Sequence, residues 1–133
     1  MPVLIDTDVA IHWRDGDPDV RARVLALGEL PAISTISRVE LENGVYRDPG
    51  EMRARRLRLD VILRSFKIVD FTRAEAVAYS EILAAAGYSK RKTNDRMIAA
   101  TDLVHDLTLV TINGRDFRDV PDLKLEIWPG PAA

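Results

Sequence analysis

The chain has 133 residues, enough for a single domain over 1–133 with one sizeable core, and 47% of its residues are hydrophobic and 30% charged, as in ordinary globular proteins. Its net charge of −2 differs from the overall basicity of most nucleic-acid-binding domains, and the lack of cysteine excludes disulfides, thiolate nucleophiles and cysteine-based zinc sites. The sequence has neither the run of about 20 apolar residues of a membrane helix nor the basic start of a signal peptide, so we expect a cytoplasmic protein without membrane contact.

Short apolar runs and amphipathic segments alternate along the chain, separated by proline and glycine. In chain order, the predicted elements are a strand over 3–5, helices over 7–14 and 19–28, a strand over 32–36, helices over 37–47 and 51–65, a strand over 66–70, helices over 72–86 and 93–105, a strand over 107–111 and a short edge strand over 123–127. Thr72 and Glu75 form a capping box, and Thr93 is predicted to cap the last helix. Strands that alternate with helices indicate an α/β fold with a mostly parallel central sheet flanked by helices.

Four acidic residues stand at positions that such a fold brings to one place. Asp6, Glu40 and Asp116 each follow a predicted strand, and Asp95 lies in the first turn of the helix that leads into the fourth strand. Functional groups collect beyond the carboxyl ends of parallel strands, so these four side chains are expected at one edge of the sheet. Carboxylates are the ligands that Mg²⁺ and Mn²⁺ prefer, and clustered like charges need a cation to stay ionised. The pattern predicts a metal site that activates water and stabilises charge on a phosphate.

Each acid taken alone also has a structural explanation. An acid near a helix N-terminus is favoured by the helix dipole, which applies to the acids after the first strand and to Asp95, two residues after Thr93. Ser37 and Glu40 have the spacing of a capping box, and Asp116 follows an Asn-Gly turn, where it could simply be solvated. The joint placement of the four at one sheet edge favours the functional interpretation.

Four segments resemble, in order, the motifs of PIN-domain ribonucleases. LIDTDVAI at 4–11 is similar to the opening motif, in which an Asp ends a strand and is followed by Thr and then Asn or Asp. SRVELENGV at 37–45 resembles the second motif, an acid followed by Leu, and NDRMIAATDL at 94–103 resembles the third. LVTINGRDF at 109–117 resembles the fourth, and the match covers nearly the whole chain. Its size resembles that of VapC-type toxins of bacterial toxin–antitoxin pairs.

The resemblance implies a three-layer PIN-like fold and a ribonuclease dependent on Mg²⁺ or Mn²⁺. Its metal-binding, catalytic residues are implied to be Asp6, Glu40, Asp95 and Asp116, and Thr111 matches a polar position near them. The implied substrate is RNA, such as transfer RNA, cleaved to leave a 5′ phosphate. The implied partners are a VapB-type antitoxin and a second copy of the chain in a homodimer.

The basic residues are unevenly spread. Lys90, Arg91 and Lys92 immediately precede the helix that carries Asp95, and we expect them, with Thr111, to contact RNA. The arginines of helix 51–65 are spread around that helix and are expected to form a solvated face.

One acid departs from the family pattern, and another is the less common of the two residues that the pattern allows. Asp102 stands where a small residue is usual, seven residues after Asp95 and so on the same helical face two turns away. We expect it at the surface rather than as a more distant metal ligand. Asp8 stands where Asn is commoner, which leaves open the hydrogen bonds that it makes.

Three alternatives to a toxin nuclease remain at this point. One is a PIN nuclease of RNA processing, and another is a PIN-like protein that binds without catalysis, although all four acids are intact. The third is a response-regulator receiver domain, in which Asp6 and Asp8 would form the acidic pair and Asp70 the phosphoacceptor. A receiver needs a Lys after its last core strand, where this chain has Trp128 and Pro129.

Overall fold

A computed structural model describes residues 2–131 of the chain and contains five strands and six α-helices in that range. The strands are β1 Val3–Ile5, β2 Ala32–Ser34, β3 Lys67–Val69, β4 Thr108–Thr111 and β5 Leu125–Ile127. The helices are α1 Thr7–Arg14, α2 Pro18–Ala26, α3 Thr35–Tyr46, α4 Met52–Ser65, α5 Arg73–Ala86 and α6 Thr93–His105, with short 3₁₀ helices at Pro49–Glu51 and Gly114–Phe117. No helix among the described residues has the length and apolar character needed to span a bilayer.

The five strands form one parallel sheet in the order β3-β2-β1-β4-β5. β1 lies in the middle, with Leu4 opposite Ala32 of β2 on one side and Ile5 opposite Val110 of β4 on the other. The strand order therefore reverses between β1 and β4, and the crevice beyond their carboxyl ends is where such folds bind ligands. The prediction of an α/β fold with a parallel central sheet is confirmed.

Helices cover both faces of the sheet, as the alternation of side chains along the strands requires. Val3 and Ile5 of β1 belong to a buried cluster that also contains apolar residues of α1 to α4, whereas Leu4 belongs to a second cluster with residues of α5 and α6. Adjacent residues of a strand point to opposite faces, so one strand contributes to both cores. Each fully buried Leu or Ile contributes roughly 2 kcal/mol through its burial. These two cores hold the central strands rigidly beneath the crevice.

The start of α3 corrects the prediction for this part of the chain. The strand ends at Ser34 rather than residue 36, and Ser34 caps α3 by accepting a hydrogen bond from the backbone N–H of Ser37 at 3.0 Å. The predicted capping box of Ser37 and Glu40 is therefore wrong, because Ser37 already lies inside the helix. Glu40 does not serve the helix end, and its carboxylate is available for contacts outside α3.

Of the caps predicted for α5 and α6, the first is confirmed and the second is wrong. Thr72 and Glu75 form the predicted capping box, and Gly87 ends α5 with a φ of +86° that suits glycine. The cap predicted at Thr93 is wrong, because α6 has Lys92 at its N-cap. The Thr93 hydroxyl donates backwards to the carbonyl of Lys90 at 3.0 Å and so stabilises the preceding loop.

Candidate active site

Asp6 lies in the centre of the carboxyl edge of the sheet, between β1 and α1. It is the N-cap of α1, and its Oδ1 accepts a hydrogen bond from the backbone N–H of Thr7 at 2.7 Å. Its Oδ2 accepts a hydrogen bond of 2.8 Å from the hydroxyl of Thr111, the last residue of β4. Only 5% of Asp6 is exposed. The side chain is thus held by donors from two neighbouring strands, in one orientation toward the crevice.

Glu40 reaches the same crevice from α3. Its Oε1 accepts a hydrogen bond of 2.6 Å from the Thr7 hydroxyl, which lies 2.8 Å from the hydroxyl of Ser37. The Ser34 hydroxyl lies 3.3 Å from that of Ser37, so three hydroxyls form a chain that ends on the Glu40 carboxylate. The amide of Asn94, at the start of α6, approaches Oε2 at 3.5 Å. Residues of α1, α3 and α6 therefore surround this carboxylate.

Asp116 and Asp95 enter from the other side. Asp116 lies in the 3₁₀ helix after β4, and its Oδ2 accepts a hydrogen bond of 2.5 Å from the side-chain amide of Asn113. Its Oδ1 accepts a hydrogen bond of 3.0 Å from the guanidinium of Arg91. Asp95 lies in the first turn of α6 and is half-buried. Burial and neighbouring charges, rather than hydrogen bonds within residues 2–131, act on its carboxylate.

The pKa values of two of these acids show that the set shares one electrostatic field. Burial and the charge of Asp8 raise the pKa of Asp6 to about 8, against the hydrogen bonds from Thr111 and Thr7, and Asp95 adds to the rise. Burial also raises the pKa of Asp95 to about 6, with further contributions from Asp116, Glu40 and Asp8, while Arg91 lowers it. The acids predicted from the sequence therefore repel one another across the crevice, as members of one site do.

The carboxylate oxygens of the crevice decide whether a divalent cation fits there. In the range 2–131, no three His, Cys, Asp or Glu side chains are arranged so that they could hold a metal ion together. The carboxylates are hydrogen-bonded to protein donors in this structure. Mg²⁺ usually keeps several waters and takes only one or two carboxylates directly, so such an ion fits this set without three converging ligands. A cation would also relieve the repulsion that raises the pKa of Asp95.

Asp8 is a positioning residue whose role the sequence left open. Its Oδ2 accepts hydrogen bonds from the backbone N–H groups of Ile112 at 3.2 Å and Asn113 at 3.1 Å. These contacts fasten the segment after β4 to the first turn of α1. That segment leads directly to Asn113 and Asp116, so Asp8 fixes their place in the crevice. The sequence signals for it were an acid in the first turn of a helix and its place in the opening family motif, and neither indicated which partners it has.

Two predictions about single residues are corrected by burial. Thr111 was expected to contact RNA, but none of it is exposed, and its hydroxyl is bonded to Asp6. Asp102 was expected at the surface, but only 1% of it is exposed and its Oδ1 has no hydrogen-bond partner among the described residues. It lies seven residues from Asp95, about 10 Å along the helix axis, and so outside the crevice. Burial and the nearby Asp106 raise the pKa of Asp102 to about 8.

The basic segment of residues 90–92 borders the crevice. Lys90 is exposed, Arg91 contacts Asp116, and the Lys92 ammonium lies 3.2 Å from Asp119. Their contact with RNA stays a prediction. In α4, by contrast, Arg55 pairs with Asp48, and Arg56 pairs with Glu42 and Asp60, so these two arginines are engaged by acids of the same chain where a solvated face was expected.

Known proteins share this fold and sequence pattern. The chain is 29% identical to ribonuclease VapC2 of Rickettsia felis, over 96% of this chain and 98% of that protein. Its structure is similar to that of VapBC2 from Rickettsia felis bound to a DNA fragment from their promoter, with a TM-score of 0.81, 29% identity and coverage of 96% of this chain and 99% of that one. A likeness of fold to DNA-bound VapBC from Salmonella typhimurium has a TM-score of 0.83 at 23% identity, over 96% of this chain and 98% of that one. A family model described as PIN domain matches residues 3–123, and the chain therefore belongs to the PIN-domain family.

Proposed function

We propose that this PIN-domain protein is a metal-dependent ribonuclease toxin that a cognate VapB-type antitoxin neutralises. The observation that carries the proposal is the convergence of Asp6, Glu40, Asp95 and Asp116 on one crevice at the topological switch point of the sheet. Its support from outside the chain is the similarity to a protein named ribonuclease VapC2 and to a VapBC2 complex. In this proposal the four acids are the catalytic and metal-binding residues.

The chemistry divides between a bound cation and the side chains of the protein. When bound, Mg²⁺ or Mn²⁺ supplies Lewis acidity, which stabilises negative charge on the attacked phosphate and lowers the pKa of water. Asp6 and Asp116 are the ligands that the protein orients most firmly, because Thr111 and Asn113 hold them from below. Glu40, held by Thr7, faces them from α3.

Hydrolysis in this crevice follows the direction of attack that leaves a 5′ phosphate. A water oxygen forms a bond to phosphorus while the bond from phosphorus to the 3′ oxygen breaks, and the departing 3′ oxygen takes up a proton. A carboxylate oxygen of Glu40 or Asp95 that the cation leaves free accepts the proton that water loses. Burial and the neighbouring acids raise the pKa of Asp95 to about 6, close to neutrality, which suits this carboxylate to accept a proton.

The residues around the crevice support the proposed substrate and partners. RNA, including transfer RNA, supplies the phosphates that the exposed Lys90 beside the crevice would attract. The antitoxin is expected to present a basic segment, since Arg pairs carboxylates bidentately and would block the acids. We also propose that the chain forms a homodimer, as its resemblance to the family implies.

The test is cleavage of labelled RNA in Mn²⁺ and in EDTA. Asp6→Asn, Glu40→Gln, Asp95→Asn and Asp116→Asn are each expected to lower the rate by orders of magnitude, while Asp70→Asn, an exposed acid after β3, leaves it unchanged. Circular dichroism of each variant checks that the fold is intact. Wild-type rates in any two of the four site variants, or equal rates in Mn²⁺ and EDTA, contradict the proposal.

A further inference from the structure

Arg91 brings a positive charge into the acidic crevice. Its guanidinium donates to Oδ1 of Asp116 at 3.0 Å, and the side chain is 69% exposed whereas that of Asp116 is 10% exposed. The same charge acts on Asp95, whose pKa it lowers. The two residues of this ion pair thus differ in exposure, because a buried acid is paired with a side chain that solvent surrounds.

The backbone beneath Arg91 is held in place, whereas its side chain lies mostly in solvent. The buried Arg96 donates to the carbonyl of Gly87, where the loop begins, and to Asp119 at 3.1 Å. The Lys92 ammonium, at the end of the loop, lies 3.2 Å from the same Asp119. The loop between α5 and α6 is therefore tied at both ends. A change of contact by Arg91 needs only rotation of its own side chain.

The two oxygens of Asp116 have partners of different kinds. Oδ2 is held by Asn113, three residues away on the same short segment, whereas Oδ1 is held by the exposed Arg91. A cation that binds Asp116 would meet Oδ2, which Asn113 holds, and Oδ1, whose partner Arg91 is exposed and can be replaced. An ion on Oδ1 and the guanidinium on Oδ1 compete for the same electron pairs and repel each other.

We propose that Arg91 is an exchangeable counter-ion of the site: it neutralises Asp116 while the site is free of metal, leaves when a divalent cation binds, and then binds a phosphate of the RNA strand. This inference rests on the proposed function and assigns Arg91 two positions in it. Arg91 makes the binding of the cation and the binding of RNA cooperative, since the ion releases the side chain that then holds the substrate. It also keeps the empty crevice from binding RNA through this residue.

The first experiment measures release and uses no RNA. Mn²⁺ binding to the full chain is followed by electron paramagnetic resonance for wild type, Arg91→Ala and Lys90→Ala. Lys90 is the matched control, since it is an exposed neighbouring cation without an ion pair in the described part of the chain. Arg91→Ala removes a partly screened ion pair, and we expect it to bind Mn²⁺ about fivefold more tightly than wild type. Lys90→Ala removes only a more distant charge, and its Mn²⁺ affinity should rise by less than about twofold. Equal changes in the two variants overturn the proposal.

The second experiment measures where Arg91 goes. Binding of a fluorescent single-stranded RNA is measured over a range of salt, in EDTA and in Ca²⁺, which replaces Mn²⁺ to slow cleavage. One phosphate contact on a single strand changes the slope of log K against log salt by about 0.7. Wild type and Arg91→Ala are expected to share one slope in EDTA and to differ by about that amount in Ca²⁺. A difference of the same size in both conditions, or in neither, overturns the proposal.

The two experiments separate this inference from the proposed function. If the site variants keep wild-type RNA cleavage, the proposed function fails whatever Arg91 does. If cleavage depends on the acids and on metal, but Arg91→Ala and Lys90→Ala bind Mn²⁺ alike, the nuclease stands and the role of Arg91 fails.

Discussion

Replacing Asp6 by Asn is expected to stabilise the metal-free protein near neutral pH. Burial and Asp8 raise the pKa of Asp6 from 3.8 to about 8 in the folded state. A group with a raised folded-state pKa contributes fully to stability below its unfolded value, and that contribution is lost as the pH rises through the folded value. Asp6 therefore destabilises the fold by a growing amount between pH 3.8 and about pH 8. The asparagine has no charge to bury and escapes this penalty.

The size of the effect follows from the width of that interval. Neutral pH lies about three units above the unfolded value, and each unit corresponds to ~1.4 kcal/mol, so wild type loses about 4 kcal/mol. Asn retains one acceptor oxygen and gives up one of the two hydrogen bonds, to Thr7 or Thr111, at a cost of about 1 kcal/mol. The net gain of roughly 3 kcal/mol corresponds to a rise in melting temperature on the order of 10 °C.

The assay is thermal unfolding in EDTA at pH 4 and at neutral pH, then at neutral pH with Mn²⁺. Asp102→Asn is the matched control, because Asp102 is also buried and has a pKa raised to about 8 but lies outside the crevice. Both variants should gain stability over wild type at neutral pH and little at pH 4. Mn²⁺ should stabilise wild type and Asp102→Asn alike, and Asp6→Asn less, because the ion binds the assembled site. If Asp6→Asn melts below wild type in EDTA at neutral pH, or Mn²⁺ shifts all three proteins equally, the reasoning is refuted.

Three further predictions concern the surroundings of the site. Thr111→Val removes the donor that orients Asp6, so RNA cleavage should fall about 10- to 100-fold with the circular dichroism spectrum unchanged; a wild-type rate would show that Asp6 needs no such support. Replacing residues 90–92 together by Ala should reduce the slope of log K against log salt for RNA binding in Ca²⁺ by about 1 to 2. An unchanged slope would show that this segment is solvated surface that does not contact RNA. Co-purified antitoxin should suppress cleavage through a basic segment on the acids, and a complex that cleaves as fast as the free chain would contradict blockade of the active site.

The fold followed from the sequence because its signals are local and repeated. Short apolar runs between amphipathic segments gave every strand and α-helix boundary to within about two residues, because these two patterns recur along the whole chain. The parallel sheet then placed Asp6, Glu40 and Asp116 at one edge without knowledge of any contact. The match to the PIN family over residues 3–123 shows that the receiver-domain alternative was wrong.

The contacts that orient the site could not be predicted in the same way. Thr7 reaches Glu40 across 33 positions of the chain, and Thr111 reaches Asp6 across 105. Such pairs depend on strand order and on the direction of each side chain, which periodicity does not encode. Thr111 was expected to contact RNA, and only the family resemblance placed it near the acids, where it is buried and bonded to Asp6. The capping box at Glu40 failed for a related reason, because Ser34 and Ser37 are both competent caps and only packing decides between them.

Asp6 and Asp102 together show which perturbation identifies a functional site. Burial raises the pKa of both to about 8, so the shift alone does not distinguish them. The difference lies in their surroundings. Asp6 accepts two hydrogen bonds and feels Asp8 and Asp95, whereas Asp102 has an unpartnered oxygen and feels one neighbouring acid at the far end of its helix. A protein gains nothing from converging several like charges unless something of opposite charge binds there, and that convergence favours the cation site that we propose around Asp6 over an isolated buried acid.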